Sequence, residues 1–337
     1  VLFDFDGTVG DTETPAMEVA YWELAPYFID TPPEELNGRY KLDWIRENCG
    51  KPFGEMQEHL DEQREQAGLM SVEEIRADKA EDLEIMKVVN NARAKMGLKS
   101  IQQIRDEGSE QAVLWDQARG EFEDALRTLA QPCDGIPQLL TSLSQDKTPF
   151  AIATTSPKPR VPISVVAAGL TEFFPEEYIH SGESDFSPPR FKPDPSVYLK
   201  AANFLGVQPE DCVALEDSAS GVGSAANAGM GMIIGYVGAT HIQEQDKHSH
   251  AEMLLKGEKS ERKRGADVVI WNMEDALPLI RGFTANRASG IEDSHAKMMV
   301  DDDVLSNLKG KIIVNSSPVA PKVELSFLNG DPVSSLV

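Results

Sequence analysis

Three short apolar runs, each stopping at a carboxylate or a hydroxyl, limit what this chain can build. Val1-Leu2-Phe3 leads into Asp4-Phe5-Asp6-Gly7-Thr8, Pro149-Phe150-Ala151-Ile152-Ala153 into Thr154, and Asp211-Cys212-Val213-Ala214-Leu215 into Glu216-Asp217. Runs this short and continuous suit strands buried on both faces of a parallel sheet, although periodicity alone also admits a buried helical segment. Ligands of open α/β sheets bind beyond the carboxyl ends of the strands, so the polar residues that end these runs form the candidate site. Positions two apart on a strand face the same side, which puts Asp4 and Asp6 together, and Gly7 permits the turn that exposes them. Two acids that close call for a cation. A hard divalent ion such as Mg2+, which takes oxygen ligands and shares them with phosphate, is the natural partner. A fourth piece, Phe191-Lys192-Pro193-Asp194-Pro195, sets a lysine in a stretch stiffened by two prolines.

In this order, Asp4-x-Asp6-Gly7-Thr8, Thr154, Lys192 and Glu216-Asp217-Ser218, the motifs resemble those of the haloacid dehalogenase superfamily. The likeness is to the subgroup holding phosphoglycolate phosphatase, the CbbY-type sugar bisphosphatases and β-phosphoglucomutase. It rests on Asp11-Thr12-Glu13, Lys192-Pro193-x-Pro195 and Leu215-Glu216-Asp217-Ser218-x-x-Gly221, and it spans roughly Val1 to Arg281. The resemblance implies a doubly wound, Rossmann-like α/β core with an inserted helical cap.

It also implies roles. Asp4 would be the nucleophile that forms an aspartyl-phosphate, and Asp6 the acid that protonates the leaving oxygen and then activates water. An Asp at the second position is a mark of the phosphatases and is missing from the dehalogenases. Mg2+ would be held by the Asp4 carboxylate, the Asp6 carbonyl and Asp217, with Glu216 bound directly or through water. Thr154 and Lys192 would meet the phosphoryl group, helped by Thr8, Thr155 and Ser156, with Ser156-Pro157 opening the next helix. In the Asn37 to Lys41 stretch, Arg39 and Lys41 are the candidates for a second phosphate or a carboxylate on the substrate, against the alternative of a solvated loop. The expected activity is a Mg2+-dependent phosphatase acting on a sugar phosphate or a phosphoglycolate-like acid. A phosphomutase is the alternative, but the position of the mutase's cap histidine holds Ala16. A further alternative is a subunit of the same fold with a structural, partner-binding role.

A length of 337 residues suits two modules, and a formal charge of −24 argues against nucleic acid or an anionic membrane as partner. Cys49, Cys133 and Cys212 lie far apart, which fits free thiols in a reducing compartment, the cytoplasm or an organelle lumen or stroma, and a soluble protein. The chain opens on Val1, so residues upstream, a removed targeting peptide among them, are expected.

The core is expected over residues 1–12 and 135–281, and the cap over 13–134. Within the cap, Ile85, Val88, Val89, Ala92 and Met96 repeat at helical spacing, as do Trp115, Ala118, Phe122, Ala125 and Leu129. The stretch from Glu55 to Glu110 reads as a solvated helix pair. Helices are expected at Ile136 to Leu143 and Ser196 to Leu205, and strands at Gly231 to Tyr236 and Ala266 to Ile270. A polar insertion, 240–265, separates the last two strands, and its His241, His248 and His250 show no spacing that defines a metal site. Residues 282–337 form an extension with two candidate strands and an Asn329-Gly330-Asp331-Pro332 turn. It packs on the core or carries a protein partner.

Overall fold

The computed structural model describes residues 1–48, 51–289, 308, 310–315 and 323–326. Cys49 and the Asn329 to Pro332 turn lie outside the described residues. The chain divides into two compact units, Val1–Asp11 with Gln131–Val337, and Thr12–Ala130.

The first unit is built on an eight-stranded sheet. Its strands are β1 (Leu2–Phe3), β4 (Ala151–Thr154), β5 (Ile179–Ser181), β6 (Val213–Glu216), β7 (Met232–Tyr236), β8 (Val268–Ile270), β9 (Ile312–Asn315) and β10 (Val323–Ser326). The order across the sheet is β10-β9-β8-β7-β6-β1-β4-β5. The strands from β8 to β5 are parallel, and β9 and β10 add on antiparallel. From β1 the chain winds outward through β4 and β5, then returns to the other side of β1 and winds outward through β6, β7 and β8. The order reverses at β1, and such a switch point is where doubly wound sheets leave a crevice. Leu2, Phe3, Ala151, Ile152, Ala214 and Leu215 are all fully buried, so the three strands nearest the switch point are apolar on both faces.

Two linkers run side by side as a small antiparallel pair, β2 (Gly10–Asp11) with β3 (Gln131–Pro132). This pair places residues 131–134 with the sheet and not with the cap expected over 13–134, and Thr12 falls in the other unit. The region 240–265, expected as an insertion, is the crossover between β7 and β8. Its helix Lys247–Lys256 buries Ala251, Leu254 and Leu255 in the main core, and these few apolar positions are hard to see among polar neighbours. The helix Ala276–Ala288 runs through the expected boundary at Arg281. Beyond it, Ile312 and Ile313 are buried where β9 pairs with β8, so the described part of the extension completes the sheet. Cys133 and Cys212 are buried free thiols, and burial pushes both thiol pKa values up.

The second unit is helical: Glu13–Leu24, Arg39–Asn48, Phe53–Gln66, Val72–Asp78, Leu83–Lys95, Ile101–Asp106 and Leu114–Leu129. Several starts are written locally. Ser71 with Glu74 and Ser100 with Gln103 form capping boxes, and the Asp82 carboxylate accepts from the amides of Glu84 and Ile85. The stretch read as a solvated helix pair holds four helices and buries Met56, Leu60, Val72, Ile75 and Val89. It also buries Arg93 completely, paired with Glu23 and Glu121. A pattern of charged residues reads as solvated when the charges in fact meet each other inside. No described helix is long and apolar enough to cross a membrane.

Candidate active site

At the end of β1 the chain keeps its register for one more residue, the Asp4 amide donating to the Leu215 carbonyl at 3.0 Å. It then turns at Gly7, whose φ is +81°, a value that glycine adopts without strain. A Cβ on Gly7 would lie 2.3 Å from Asp217 Oδ2, so the turn also presses against the end of β6. The carboxylates of Asp4, Glu216 and Asp217 thereby come within 4.8 Å of one another, all buried.

One ammonium serves this cluster. Lys192 Nζ donates to Asp4 Oδ1 at 2.5 Å and to Glu216 Oε1 at 2.6 Å, and it lies 5.2 Å from the Tyr198 ring centre. The Tyr198 hydroxyl donates to the same Glu216 oxygen at 2.6 Å. Three buried carboxylates against one ammonium leave an excess of negative charge. Burial pushes the Asp4 carboxyl up to about 7 against the pull of Lys192, with Glu216 and Asp6 adding to the rise. Burial, then the Asp4 and Glu216 charges, push Asp217 well above the carboxylate range. The chemistry of the donor set, hard oxygens with uncompensated charge, fits a divalent cation such as Mg2+. Glu216 already spends its oxygens on Lys192, Tyr198 and, at 3.3 Å, Ser218, so it is better placed to orient Lys192 than to coordinate.

Asp6 lies just past this group and faces elsewhere. Its Oδ2 accepts from Ser156 Oγ and, at 2.6 Å, from Arg160 Nη2, and Arg160 also donates to Ser156 Oγ. Arg160 was not among the residues singled out by sequence. The available signal is its place four residues after Ser156. The helix here begins at Arg160, not at the expected Ser156-Pro157, because the chain first makes a turn in which the Arg160 amide donates to the Pro157 carbonyl. Thr154 is buried at the end of β4, its Oγ1 accepting from the Ser156 amide at 3.1 Å, and Thr155 is half-buried beside it.

Other expected contacts fall differently. Thr8, expected at the substrate, is fully buried with its hydroxyl 3.4 Å from Asp217 Oδ1. In the helical unit, Arg39 is 94% exposed and pairs with Asp43, whereas Lys41 is 18% exposed, pairs with Glu18 and lies over the Trp22 ring. The two are therefore not one binding pair, since residues two apart on a helix point apart. Lys41 instead lines a cavity of about 390 Å³ with Glu18, Trp22, Asn37, Asn91 and Lys95. Two histidines of the β7–β8 crossover, given no site by sequence, do reach Asp217. His241 Nε2 lies 3.4 Å from Asp217 Oδ2, and His250 Nε2 lies 2.5 Å from the Asp217 carbonyl oxygen.

Comparison with known proteins gives concordant results. The chain is 36% identical over 143 residues to a probable pseudouridine-5'-phosphatase of Drosophila melanogaster, a match covering 41% of this chain and 59% of that protein. It is 35% identical over 95 residues to hexitol phosphatase A of Escherichia coli, covering 28% and 41%. The chain thus spans less than two thirds of the length of these relatives. Its fold is similar to that of a conserved haloacid dehalogenase-like protein of unknown function from Agrobacterium tumefaciens, with a TM-score of 0.51 and 24% identity over 83% of this chain and 96% of that one. Residues 1–229 match the haloacid dehalogenase-like hydrolase family, and the chain belongs to that family.

Proposed function

We propose that the protein is a Mg2+-dependent phosphatase that hydrolyses a small phosphorylated metabolite through a phosphoryl group carried on Asp4. The observation that carries the reading is the buried Asp4, Glu216 and Asp217 set, with the Lys192 ammonium on Asp4 and Glu216. The names of the relatives, a pseudouridine phosphate phosphatase and a hexitol phosphatase, support a phosphate monoester of a sugar-like compound as the substrate class.

Asp4 and Asp217, with the Asp6 carbonyl, would hold the cation. When bound, it supplies positive charge that lets an anionic nucleophile approach an anionic phosphate. One Asp4 oxygen attacks phosphorus while the bond to the leaving oxygen breaks, and Asp6 gives that oxygen its proton. Water then attacks the phosphorus of phospho-Asp4, Asp6 takes the water's proton, and the Asp4 carboxylate returns. Lys192 stays on Asp4 and offsets charge on the transferring group. Thr154, whose oxygen accepts the Ser156 amide, keeps its own hydrogen to donate to a phosphoryl oxygen. Arg160 and Ser156 hold Asp6 until a substrate competes for them. The mutase alternative needs a second proton-handling group on the cap, and the corresponding position is Ala16.

The test is release of inorganic phosphate from a panel of phosphate monoesters, with Mg2+ and with excess chelator. Turnover that needs Mg2+, and that Ca2+ suppresses because its larger shell misplaces the nucleophile, is the expected result. Full turnover in chelator, or conversion of a hexose 1-phosphate into its 6-phosphate isomer, would overturn the reading.

A further inference from the structure

The crossover between β7 and β8 brings two imidazoles onto one residue of the acidic cluster. His241 follows β7 in a short loop anchored by buried Ala239 and Ile242. His250 lies on the helix Lys247–Lys256, fixed to the sheet through Ala251, Leu254 and Leu255. The two act on different parts of Asp217. His250 Nε2 meets the Asp217 carbonyl at 2.5 Å, and because a carbonyl only accepts, this nitrogen carries the proton. His241 Nε2 stands 3.4 Å from the carboxylate Oδ2, and the Thr8 hydroxyl stands 3.4 Å from the other oxygen, Oδ1. Gly7 closes the remaining space: a Cβ there would fall 2.3 Å from Oδ2 and 2.8 Å from His241 Cε1.

A carboxylate rotates about its last bond unless each oxygen has a fixed neighbour, and a ligand that rotates holds its ion poorly. Partners behind the ligands therefore count almost as much as the ligands, and losing one typically costs ~10–100-fold in metal affinity. We propose that His241 and His250 are positioning residues for the cation site, fixing Asp217 by side chain and backbone together. The crossover segment thereby sets how tightly the cation is held. This rests on reading the acidic cluster as a divalent cation site.

The test is calorimetric titration of Mg2+ and Mn2+ into the full chain at pH 8, together with thermal unfolding of each variant without metal. His241→Ala should weaken Mg2+ and Mn2+ in parallel by ~10–100-fold, with the metal-free unfolding midpoint unchanged. His241→Gln, which keeps an N–H donor, should recover most of the loss, and His250→Ala, which removes the donor to the Asp217 carbonyl, should weaken both ions without abolishing binding. If wild type binds Mg2+ and Asp217→Asn does not, yet His241→Ala binds as wild type does, the cation site stands and this inference falls. A loss confined to Mn2+ would make His241 a direct nitrogen ligand and also overturn it. Wild type that binds no Mg2+ removes the cation site itself, and the inference with it. Should His241→Ala not fold, His250→Ala decides: weakened Mg2+ and Mn2+ binding supports the inference, and wild-type binding overturns it.

Discussion

Gly221 to alanine sets two effects of opposite sign against each other. Gly221 lies in the first turn of the helix Ala219–Ala228, where replacing glycine by alanine ordinarily stabilises by about 1 kcal/mol. Here the added Cβ would fall 1.7 Å from Glu216 Oε2 and 1.9 Å from its carboxyl carbon. The carboxyl group would have to retreat by roughly 2 Å to reach ordinary contact. It has nowhere to go, because Glu216 is fully buried and accepts Lys192 and Tyr198 at 2.6 Å each. A hydrogen bond to a charged group is worth about 1.5–3 kcal/mol, and breaking a buried ion pair costs about 3–5 kcal/mol. Losing one of these outweighs the helix gain, so Gly221→Ala should destabilise by about 2–4 kcal/mol. Gly282, also within a helix of the same unit, meets nothing within 4 Å and serves as the control. Gly282→Ala should stabilise by about 0.8–1 kcal/mol. Urea unfolding of the metal-free chain measures both as midpoint shifts at constant slope. A Gly221→Ala variant as stable as wild type would refute the packing argument.

Asp4→Asn should abolish turnover and leave no phosphoenzyme while the protein stays folded; residual turnover above a few per cent would remove Asp4 as nucleophile. Lys192→Met leaves the buried carboxylates without their ammonium and should cost the metal-free protein about 3–5 kcal/mol. Mg2+ should recover part of that in denaturant titrations, and unchanged metal-free stability would contradict the charge argument. Burial holds His180 down to about 4, so below pH 6.5 the unfolded chain takes up a proton that the folded one refuses. Stability should therefore fall between pH 6.5 and 4, and His180→Leu should flatten that part of the curve; identical pH profiles would exclude His180 as the cause.

Much of the sheet was legible because β1, β4 and β6 must be apolar on both faces and end at the site. Their sequences combine a hydrophobicity signal with a chemical one. β5 was not read in advance, since Ile179-His180-Ser181 puts a histidine into an edge strand too short to show a pattern. The crossover helix reads as an insertion from sequence because few of its residues, Ala251, Leu254 and Leu255, are buried in the core. In the site, carboxylates and the lysine were visible as motif positions, whereas Arg160, Tyr198, His241 and His250 act through spatial neighbours distant in sequence. Arg39 and Lys41 were paired by proximity along the chain, but helical geometry separates them. The buried Arg93 pairs were out of reach for a similar reason, as Glu23 lies 70 positions away.

The central position of β1 has a consequence for synthesis in the cell. Its two neighbours in the sheet are β4 and β6, and β6 begins about 210 residues further along the chain. At the usual pace of translation, Leu2 and Phe3 wait roughly 10–40 s for β6 to be made. In that interval the helical unit is complete, because its core cluster draws only on residues between Met17 and Leu129. A nascent chain would therefore carry a completed helical module while its first apolar strand still lacks β6 on one side, the kind of exposed segment on which chaperones act. Yield of the recombinant protein should thus depend on translation rate and chaperone supply more than on the stability of the finished fold.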